Sequence, residues 1–585
     1  MKTYHLKQLY LNTFRTHSKA KAINSLKSLS DITEIRDVVD CVKRTYTTVS
    51  NDIEGILYPK TLTELCKKAP VFFSPSSVLA EINWILSYMR GQWSNIAWFA
   101  EQKIQFENCF LLGNYQKSHN IVEEVKNKLG VSLWYYETKC LLYEHEGESQ
   151  KCLTFISETL HSCEENNNYI LFVLYSLYER TQKKLSPYKF DEDLNALYKR
   201  NRTELHEDYY KYVLFRLNYY NQYTNTDLSL PIMFESLSAL VDRYLILVSI
   251  IKSVLVKEPY NKDIIAKGCY LFNKTKDKSL YSVIALTGRK IEGYYNQRYI
   301  DMLDCYYSGE YAKCRDYAKH IMEENPACCF DSFIFYTRSL IYLKQGYETP
   351  YKQEPDAPIN SISKGIYNVL TYKNVEENLY SLYQFNKNIY SFTIAAGLDS
   401  FYKTESNEHV NHRLTLMNIM YYDPIFSRMW DDVDSAISYI EKYKLYGINS
   451  VACDIWKKRI RNEQVDILSL PLHIAEPINA EYYYKKNMFS DAFKHAENLY
   501  NGAKEYVPIR QTAVAKMVDC LFRDGNVQKA IDLYVDYYVK DVASVAKVDT
   551  LSIIQMLQNK LYEGIRRNIN LLIFVILTCK ESVDK

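Results

Sequence analysis

Two glycines, Gly113 and Gly147, stand 34 residues apart in closely similar surroundings. The first lies in ENCFLLGNYQKSHNIVEEV and the second in CLLYEHEGESQKCLTFI. In each copy, apolar residues at helical spacing stand on both sides of the glycine. A period of 34 residues is typical of a repeat that consists of two helices joined by a short turn. The chain is therefore expected to contain consecutive helical hairpins.

Composition extends this expectation to the whole chain. Gly (16) and Pro (14) together make about 5% of the 585 residues, whereas average usage is roughly 12%. Sheets and hairpins of strands need these residues at their turns, and helices need few of them. A chain of this length is also too long for one compact core. The sequence thus predicts an all-α protein with several domains or an elongated array.

Three further segments share the pattern. In the third unit, Gly309 and Tyr311 form the turn, and Pro326 is expected to end the second helix. The small and apolar stripe of that helix consists of Cys314, Ala318 and Ile321. Two more units stand in tandem, with equivalent positions 38 residues apart: Ala480, Tyr483, Phe489, Ala492, Ala496 and Leu499 in one, and Met517, Leu521, Gly525, Val527, Ala530 and Tyr534 in the other.

Over these five units, about 170 residues, the chain resembles the tetratricopeptide-repeat (TPR) family. In the first unit, Gly113 stands at the turn, Tyr115 beside it and Ser118 at the small position of the second helix. The resemblance implies a superhelical solenoid of TPR-like helix–turn–helix repeats, whose concave surface holds a peptide or a protein segment. The family's clamp of Lys, Asn and Arg for a terminal carboxylate cannot be traced, so binding of chaperone C-termini is not expected.

Breaks in the pattern predict the domain organisation. Residues 1–75 form an N-terminal helical segment that ends in a proline-containing turn, and residues 76–344 form the first TPR-like array. Residues 345–362 carry three of the 14 prolines and are expected to be a linker or a long loop. Residues 363–585 form the second TPR-like array.

Charge and cysteine usage indicate the compartment. The formal charge of +2 gives no general attraction to nucleic acid or to a membrane. The 14 cysteines include no Cys-x-x-Cys pair, and many stand at helix-packing positions, which suits a reducing cytoplasm. The longest apolar run, Ile569 to Leu577, is too short to span a bilayer. A cytoplasmic protein without a membrane span is expected.

One segment suggests an enzyme. Arg200 and His206 resemble the Arg-x(4–6)-His signature of the helical HEPN ribonucleases, in which the two residues are thought to act on the 2′-hydroxyl and the scissile phosphate. A cation stabilises phosphate charge, and an imidazole moves a proton. Glu207 and Asp208 depart from the family's usual small or apolar continuation. A solvated charged helix face is the expected interpretation, with the ribonuclease as the alternative.

Other candidate ligand groups are interpreted as ordinary polar surface. Glu405, Glu408, His409 and His412 bring four potential metal ligands into eight residues, but the order is not that of the His-Glu-x-x-His zinc proteases. Basic clusters occur at Lys457-Lys458-Arg459 with Arg461 and at Arg566-Arg567, and either could contact phosphate. Acidic residues stand close to both. No phosphate-binding loop or nucleophile elbow is present, so neither a metal nor a cofactor is expected.

The sequence therefore predicts a non-enzymatic scaffold, adaptor or sensor that binds a partner protein or peptide. A HEPN-like ribonuclease that uses Arg200 and His206 and a nucleic-acid-binding helical repeat are the alternatives. A bacterial multi-protein system such as phage defence is a context in which helical-repeat sensors are common, although no residue points to it. The oligomeric state is not indicated.

Overall fold

The computed structural model describes residues 19–27, 31–45, 55–66, 77–164, 169–183, 228–257, 261–285, 297–328, 330–371, 451–503 and 507–537, together with isolated positions between them. These residues form 22 α-helices and two short 3-10 helices, and they contain no strand. The all-α prediction is confirmed for this part of the chain.

The first half of the chain contains thirteen of the described α-helices. They are α1 (Lys19–Lys27), α2 (Ile32–Thr45), α3 (Leu62–Cys66), α4 (Val78–Met89), α5 (Trp93–Leu111), α6 (Tyr115–Leu129), α7 (Leu133–His145), α8 (Ser149–His161), α9 (Tyr169–Gln182), α10 (Ser229–Glu235), α11 (Leu240–Lys257), α12 (Lys262–Thr275) and α13 (Tyr281–Ala285). A 3-10 helix, Lys278–Leu280, precedes α13.

The helices of the second half include the last three predicted units. They are α14 (Gln297–Tyr307), α15 (Tyr311–Glu324), α16 (Phe330–Tyr342), α17 (Pro358–Leu370), α18 (Val451–Arg461), α19 (Leu472–Lys485), α20 (Phe489–Gly502), α21 (Val507–Arg523) and α22 (Val527–Tyr537). The second 3-10 helix, Pro326–Cys328, follows α15, so this helix ends before Pro326 as predicted.

All five predicted turns close with the same backbone hydrogen bonds. The residue in the left-handed region is Gly113, Gly147, Gly309 and Gly525 in four turns, with φ between +74° and +80°, and Asn487 in the fifth, with φ of +59°. In each turn the next residue donates its N–H to the carbonyl five positions earlier, over 2.8–3.0 Å. Glycine is the residue that adopts this conformation at least cost, and asparagine follows it.

Consecutive helices pack against one another along the chain. Each hairpin, α5–α6, α7–α8, α14–α15, α19–α20 and α21–α22, is followed or preceded by a helix that continues the stack. The predicted inner stripe lies at these interfaces, since Cys152, Ile156, Cys314 and Ala318 are at most 1% exposed. The superhelical arrangement of the complete chain stays a prediction.

The proline-containing segment between α16 and α17 is tightly held. The side-chain amide of Asn360 donates to the carbonyls of Tyr351, Glu354 and Pro355, and its oxygen accepts from the N–H of Tyr351. The loop occupies residues 343–357, and α17 begins at Pro358, within the segment 345–362 that the sequence predicts as a linker or loop. The division into two arrays stays a prediction.

Among the helices that the structure describes, none combines the length and apolar character needed to cross a bilayer.

Candidate functional site

Most of the polar groups singled out from the sequence lie outside the described residues. This holds for the ribonuclease-like pair Arg200 and His206, for the group Glu405, Glu408, His409 and His412, for Arg566-Arg567, and for the apolar run 569–577. Those hypotheses stay untested predictions. Within the described part of the chain, no group of three or more His, Cys, Asp or Glu side chains is arranged to hold a metal ion.

The basic cluster of residues 457–461 is the exception, because it lies next to a cleft. It forms the last turn of α18, where Lys458, Arg459 and Arg461 are exposed. Cations at the C-terminal end of a helix interact favourably with the helix dipole, so these three side chains are well placed in the last turn of α18. Arg459 also lines a cavity that α18 shares with three other helices.

The cavity lies where α18, α19, α20 and α21 meet, and its volume is about 230 Å³. It exists because small side chains meet there: Ala480 from α19, Ala496 from α20 and Ala513 from α21 are each at most 3% exposed. Two of these alanines are small positions of the repeat pattern. The complete lining is Arg459, Asn462, Pro477, Ile478, Ala480, Glu481, Ala496, Leu499, Thr512, Ala513 and Lys516.

One buried amide holds the wall formed by α18 in place. Asn479 is 1% exposed, and its side chain accepts a hydrogen bond from the N–H of Val465 and donates one to the carbonyl of the same residue, each over 2.9 Å. These two hydrogen bonds fix the loop after α18 to α19. Arg459 and Asn462, which precede this loop, are consequently held at the rim of the cleft.

Pro477 marks the opposite wall. It lies inside α19 and lines the cleft. Proline has no N–H, so it cannot donate to the carbonyl of His473, one turn earlier, and this turn of the helix lacks one backbone hydrogen bond. A proline in this position also keeps the cleft wall apolar. The position is thus a local departure from ideal helix geometry within the site.

The charged groups of the cleft have defined partners. The ammonium of Lys516 lies 2.7 Å from a carboxylate oxygen of Glu481 and 4.1 Å from the centre of the Tyr484 ring. Glu481 also lies 3.7 Å from Lys485. Together with Arg459, the lining residues therefore carry two positive charges and one negative charge.

A second polar group lies on the adjoining side of α19 and α20. Glu476 is 5% exposed, and its carboxylate lies 2.5 Å from Nδ1 of His495 and accepts from the amide of Asn498 over 3.2 Å. Tyr483 stacks on the His495 ring with 5.2 Å between centroids. A carboxylate that orients an imidazole is one part of a nucleophilic site, but the same contacts also fasten α20 to α19. We interpret the group as structural.

The first turn of α19 is fixed against the third predicted unit. The ring of His473 stacks on Tyr342 with 3.8 Å between centroids and lies 3.2 Å from the hydroxyl of Tyr311. Burial, reinforced by the positive charge of Arg338, lowers the pKa of His473 to about 3. The imidazole is consequently neutral at physiological pH.

Buried ionic groups elsewhere in the described residues stabilise the core. Lys103 donates to Asp277 over 2.7 Å, and both side chains are fully buried. Asp242 accepts from the N–H groups of Leu133 and Trp134 and so caps the first turn of α7. Their geometry is that of a satisfied interior, not of a binding site.

Close to Asp242 lies a buried carboxylate whose protonation is altered. Glu235 contacts the guanidinium of Arg216 and the hydroxyl of Tyr212. Burial raises the pKa of Glu235 to about 7, against the lowering effect of Arg216. No local pattern indicates this group, because Glu235 lies in a different segment from Tyr212 and Arg216.

Comparisons with known proteins give no further assignment. No protein-family model, no curated protein and no solved structure matches the chain. The cleft at α18–α21 is therefore interpreted from its own residues. Sequence reasoning had identified Ala480 and Ala496 as packing residues and Arg459 as part of a basic cluster, but it missed Glu481, Thr512 and Lys516, which have no distinctive local pattern.

Proposed function

We propose that this protein is a non-enzymatic scaffold, adaptor or sensor subunit of the TPR-like type, which binds a segment of a partner protein in the cleft formed by α18–α21. The observation that carries the proposal is the cleft itself. Its lining combines three buried alanines with the side chains of Arg459, Lys516 and Asn462.

The size of the cleft supports a peptide side chain as its occupant. Pockets that enclose a drug-sized molecule or a cofactor measure roughly 300–1,000 Å³. The volume of about 230 Å³ is smaller, and it suits one side chain of an extended segment whose backbone lies across the rim. Rigid helical walls bind such a segment at a low cost in conformational entropy, because little of the protein has to become ordered.

The chemistry of the lining supports binding over catalysis. The lining contains one hydroxyl, that of Thr512, and neither histidine nor cysteine. Its only carboxylate, Glu481, is engaged with two lysines. General acid–base or nucleophilic catalysis needs a base within hydrogen-bond reach of a reacting group. Recognition by shape and charge needs only the groups that are present.

The resemblance to TPR proteins supports the same proposal. α19 and α21 are the first helices of the last two repeat units, and both contribute to the lining of the cleft. In the family, the concave surface holds a peptide or a protein segment. A bacterial multi-protein system such as phage defence is a setting in which this kind of subunit would serve.

A site-specific crosslinking experiment tests the proposal. The photoreactive residue p-benzoylphenylalanine replaces Asn462 at the rim of the cleft or, as a control, the exposed Lys529 on α22. The tagged full-length chain is irradiated in cells of the native host. We expect a discrete protein adduct from position 462 that is absent from position 529.

A blocking variant makes the outcome specific. Thr512→Trp adds a large ring to the lining of the cleft, and we expect it to abolish the adduct at position 462 while circular dichroism shows that the chain stays folded. Equal adducts from both positions, or an adduct that persists when the cleft is blocked, would show that the cleft is not the binding site.

A further inference from the structure

We infer that the segment held by the cleft is acidic, with an apolar side chain in the pocket and Asp or Glu residues on either side of it. This inference rests on the proposed function and specifies the chemistry of the partner. It follows from three features of the cleft: the sign of its charges, the weakness of its internal ion pair and the apolar character of its floor.

The rim is positive on two sides. Arg459 stands on the wall formed by α18, with the exposed Lys458 and Arg461 in the same helical turn. Lys516 stands on the wall formed by α21. A segment that lies across the rim therefore passes between two cationic walls. Guanidinium groups bind carboxylates through paired hydrogen bonds, which favours Asp or Glu opposite Arg459.

The acidic residue of the lining does not oppose such a segment. Glu481 lies between Lys516 and Lys485, so its charge is more than compensated by its immediate neighbours. The side chains of Lys516 and Glu481 are 25% and 43% exposed. An ion pair with this exposure contributes little to stability, so a carboxylate of a partner can take the place of Glu481 beside Lys516 at little cost.

The floor determines the central residue of the segment. The apolar part of the lining consists of Pro477, Ile478, Leu499 and the three alanines. Burial of an apolar side chain there, such as that of Leu or Met, is favourable because it removes apolar surface from water. None of the lining residues is aromatic, whereas proteins that bind single-stranded nucleic acid usually stack the bases on aromatic rings. The lining therefore suits an acidic peptide better than RNA.

Binding of defined peptides tests the inference. The probes are a fluorescent peptide with the sequence Gly-Asp-Glu-Leu-Glu-Asp-Gly and its isosteric neutral counterpart Gly-Asn-Gln-Leu-Gln-Asn-Gly. Fluorescence anisotropy is measured with the full-length chain. We expect the acidic peptide to bind at least about tenfold more tightly and to weaken as salt rises, because exposed charges are screened. Equal affinity for the two peptides would overturn the inference.

Two charge reversals in one helical turn give a matched control. We expect Arg459→Glu to lower the affinity for the acidic peptide about tenfold or more. Lys458→Glu changes the net charge by the same amount at an exposed position that does not line the cleft, so its effect should be several-fold smaller. Equal losses would mean that only the general charge of the turn matters and would overturn the inference.

The crosslinked partner separates this inference from the proposed function. Sequencing of the adduct formed at position 462 identifies the bound segment. An adduct with an acidic segment supports both proposals. A neutral or basic segment overturns the acidic inference but leaves the proposed scaffold function intact. Crosslinked RNA that the acidic peptide fails to displace overturns both proposals.

Discussion

The indole nitrogen of Trp456 donates a 2.9 Å hydrogen bond to the hydroxyl of Tyr307, a residue 149 positions earlier in the chain. Both side chains are buried, and their rings meet edge to face with 5.8 Å between centroids. The contact fixes α18, one wall of the cleft, against the hairpin α14–α15. The candidate binding site is thereby connected to the third predicted repeat unit.

This contact predicts an energetic coupling between the two residues. Tyr307→Phe removes the acceptor from a buried donor and should lower the free energy of unfolding by about 1–2 kcal/mol. A double-mutant cycle with Trp456→Phe, measured by urea denaturation, should give a coupling energy of about 0.5–1.5 kcal/mol. Additive effects of the two substitutions would contradict this role of the hydrogen bond.

The neutral His473 predicts a pH dependence of stability. Its pKa in the folded chain is about 3, whereas a histidine in an unfolded chain titrates near 6.5. Between these values the unfolded chain binds a proton that the folded chain does not, so the free energy of unfolding falls as the pH falls. From pH 7 to pH 5 we expect His473 to account for a loss of roughly 1–2 kcal/mol.

Substitution separates this contribution from that of other groups. His473→Gln should flatten the dependence of the unfolding free energy on pH in this interval. His320→Gln, at an exposed position of α15, serves as the control and should leave the slope unchanged. Parallel pH profiles for the wild type and the His473 variant would show that the imidazole does not have the lowered pKa.

The buried ion pair between Lys27 and Glu81 predicts a strongly destabilising single substitution. The pair has a separation of 2.8 Å, and the two side chains are 1% and 0% exposed. Lys27→Met leaves a buried carboxylate without this cation and should cost about 3–5 kcal/mol. The double variant Lys27→Met/Glu81→Leu removes both charges and should recover most of the loss in urea denaturation. A double variant no more stable than the single one would contradict the expectation.

Two glycines with similar backbone angles predict different costs for alanine. Gly147 has φ of +74°, and an added Cβ would meet nothing within 4 Å, so Gly147→Ala should cost only the backbone strain of about 1–2 kcal/mol. At Gly130, with φ of +81°, the Cβ would lie 2.2 Å from the carbonyl oxygen of Pro59. Gly130→Ala should therefore lower the thermal unfolding midpoint clearly further. Equal shifts would mean that the backbone around Pro59 moves freely.

The parts of the fold that could be predicted are those that local sequence determines. A helix ends where a residue adopts the left-handed conformation, and a glycine in the sequence predicts four of the five turns. The structure adds the same closure at Lys344 and Asn462, which follow the ends of α16 and α18. Asparagine adopts this conformation more readily than most residues, but lysine does not, so the closure at Lys344 leaves no simple mark in the sequence.

The cleft could not be predicted, because it depends on which helices meet. Lys516 and Glu481 are 35 positions apart and have no distinctive pattern. From the sequence alone, Arg459 is interpreted as part of a solvated basic cluster, and it is indeed exposed. It lines a cleft only because the alanines of three other helices meet beside it. The buried pair of Lys103 and Asp277, 174 positions apart, was out of reach for the same reason.

The three-residue turns between paired helices restrict how the length of this chain can change during evolution. One residue inserted near such a turn rotates the side chains beyond it by about 100° around the helix axis, which takes the buried stripe off its partner. Insertions are tolerable where exposed residues of a longer connection lie outside the hydrogen bonds that fix it, as in residues 466–469. Related chains should therefore differ in length at such positions and by whole hairpins, while the spacing within each hairpin is retained.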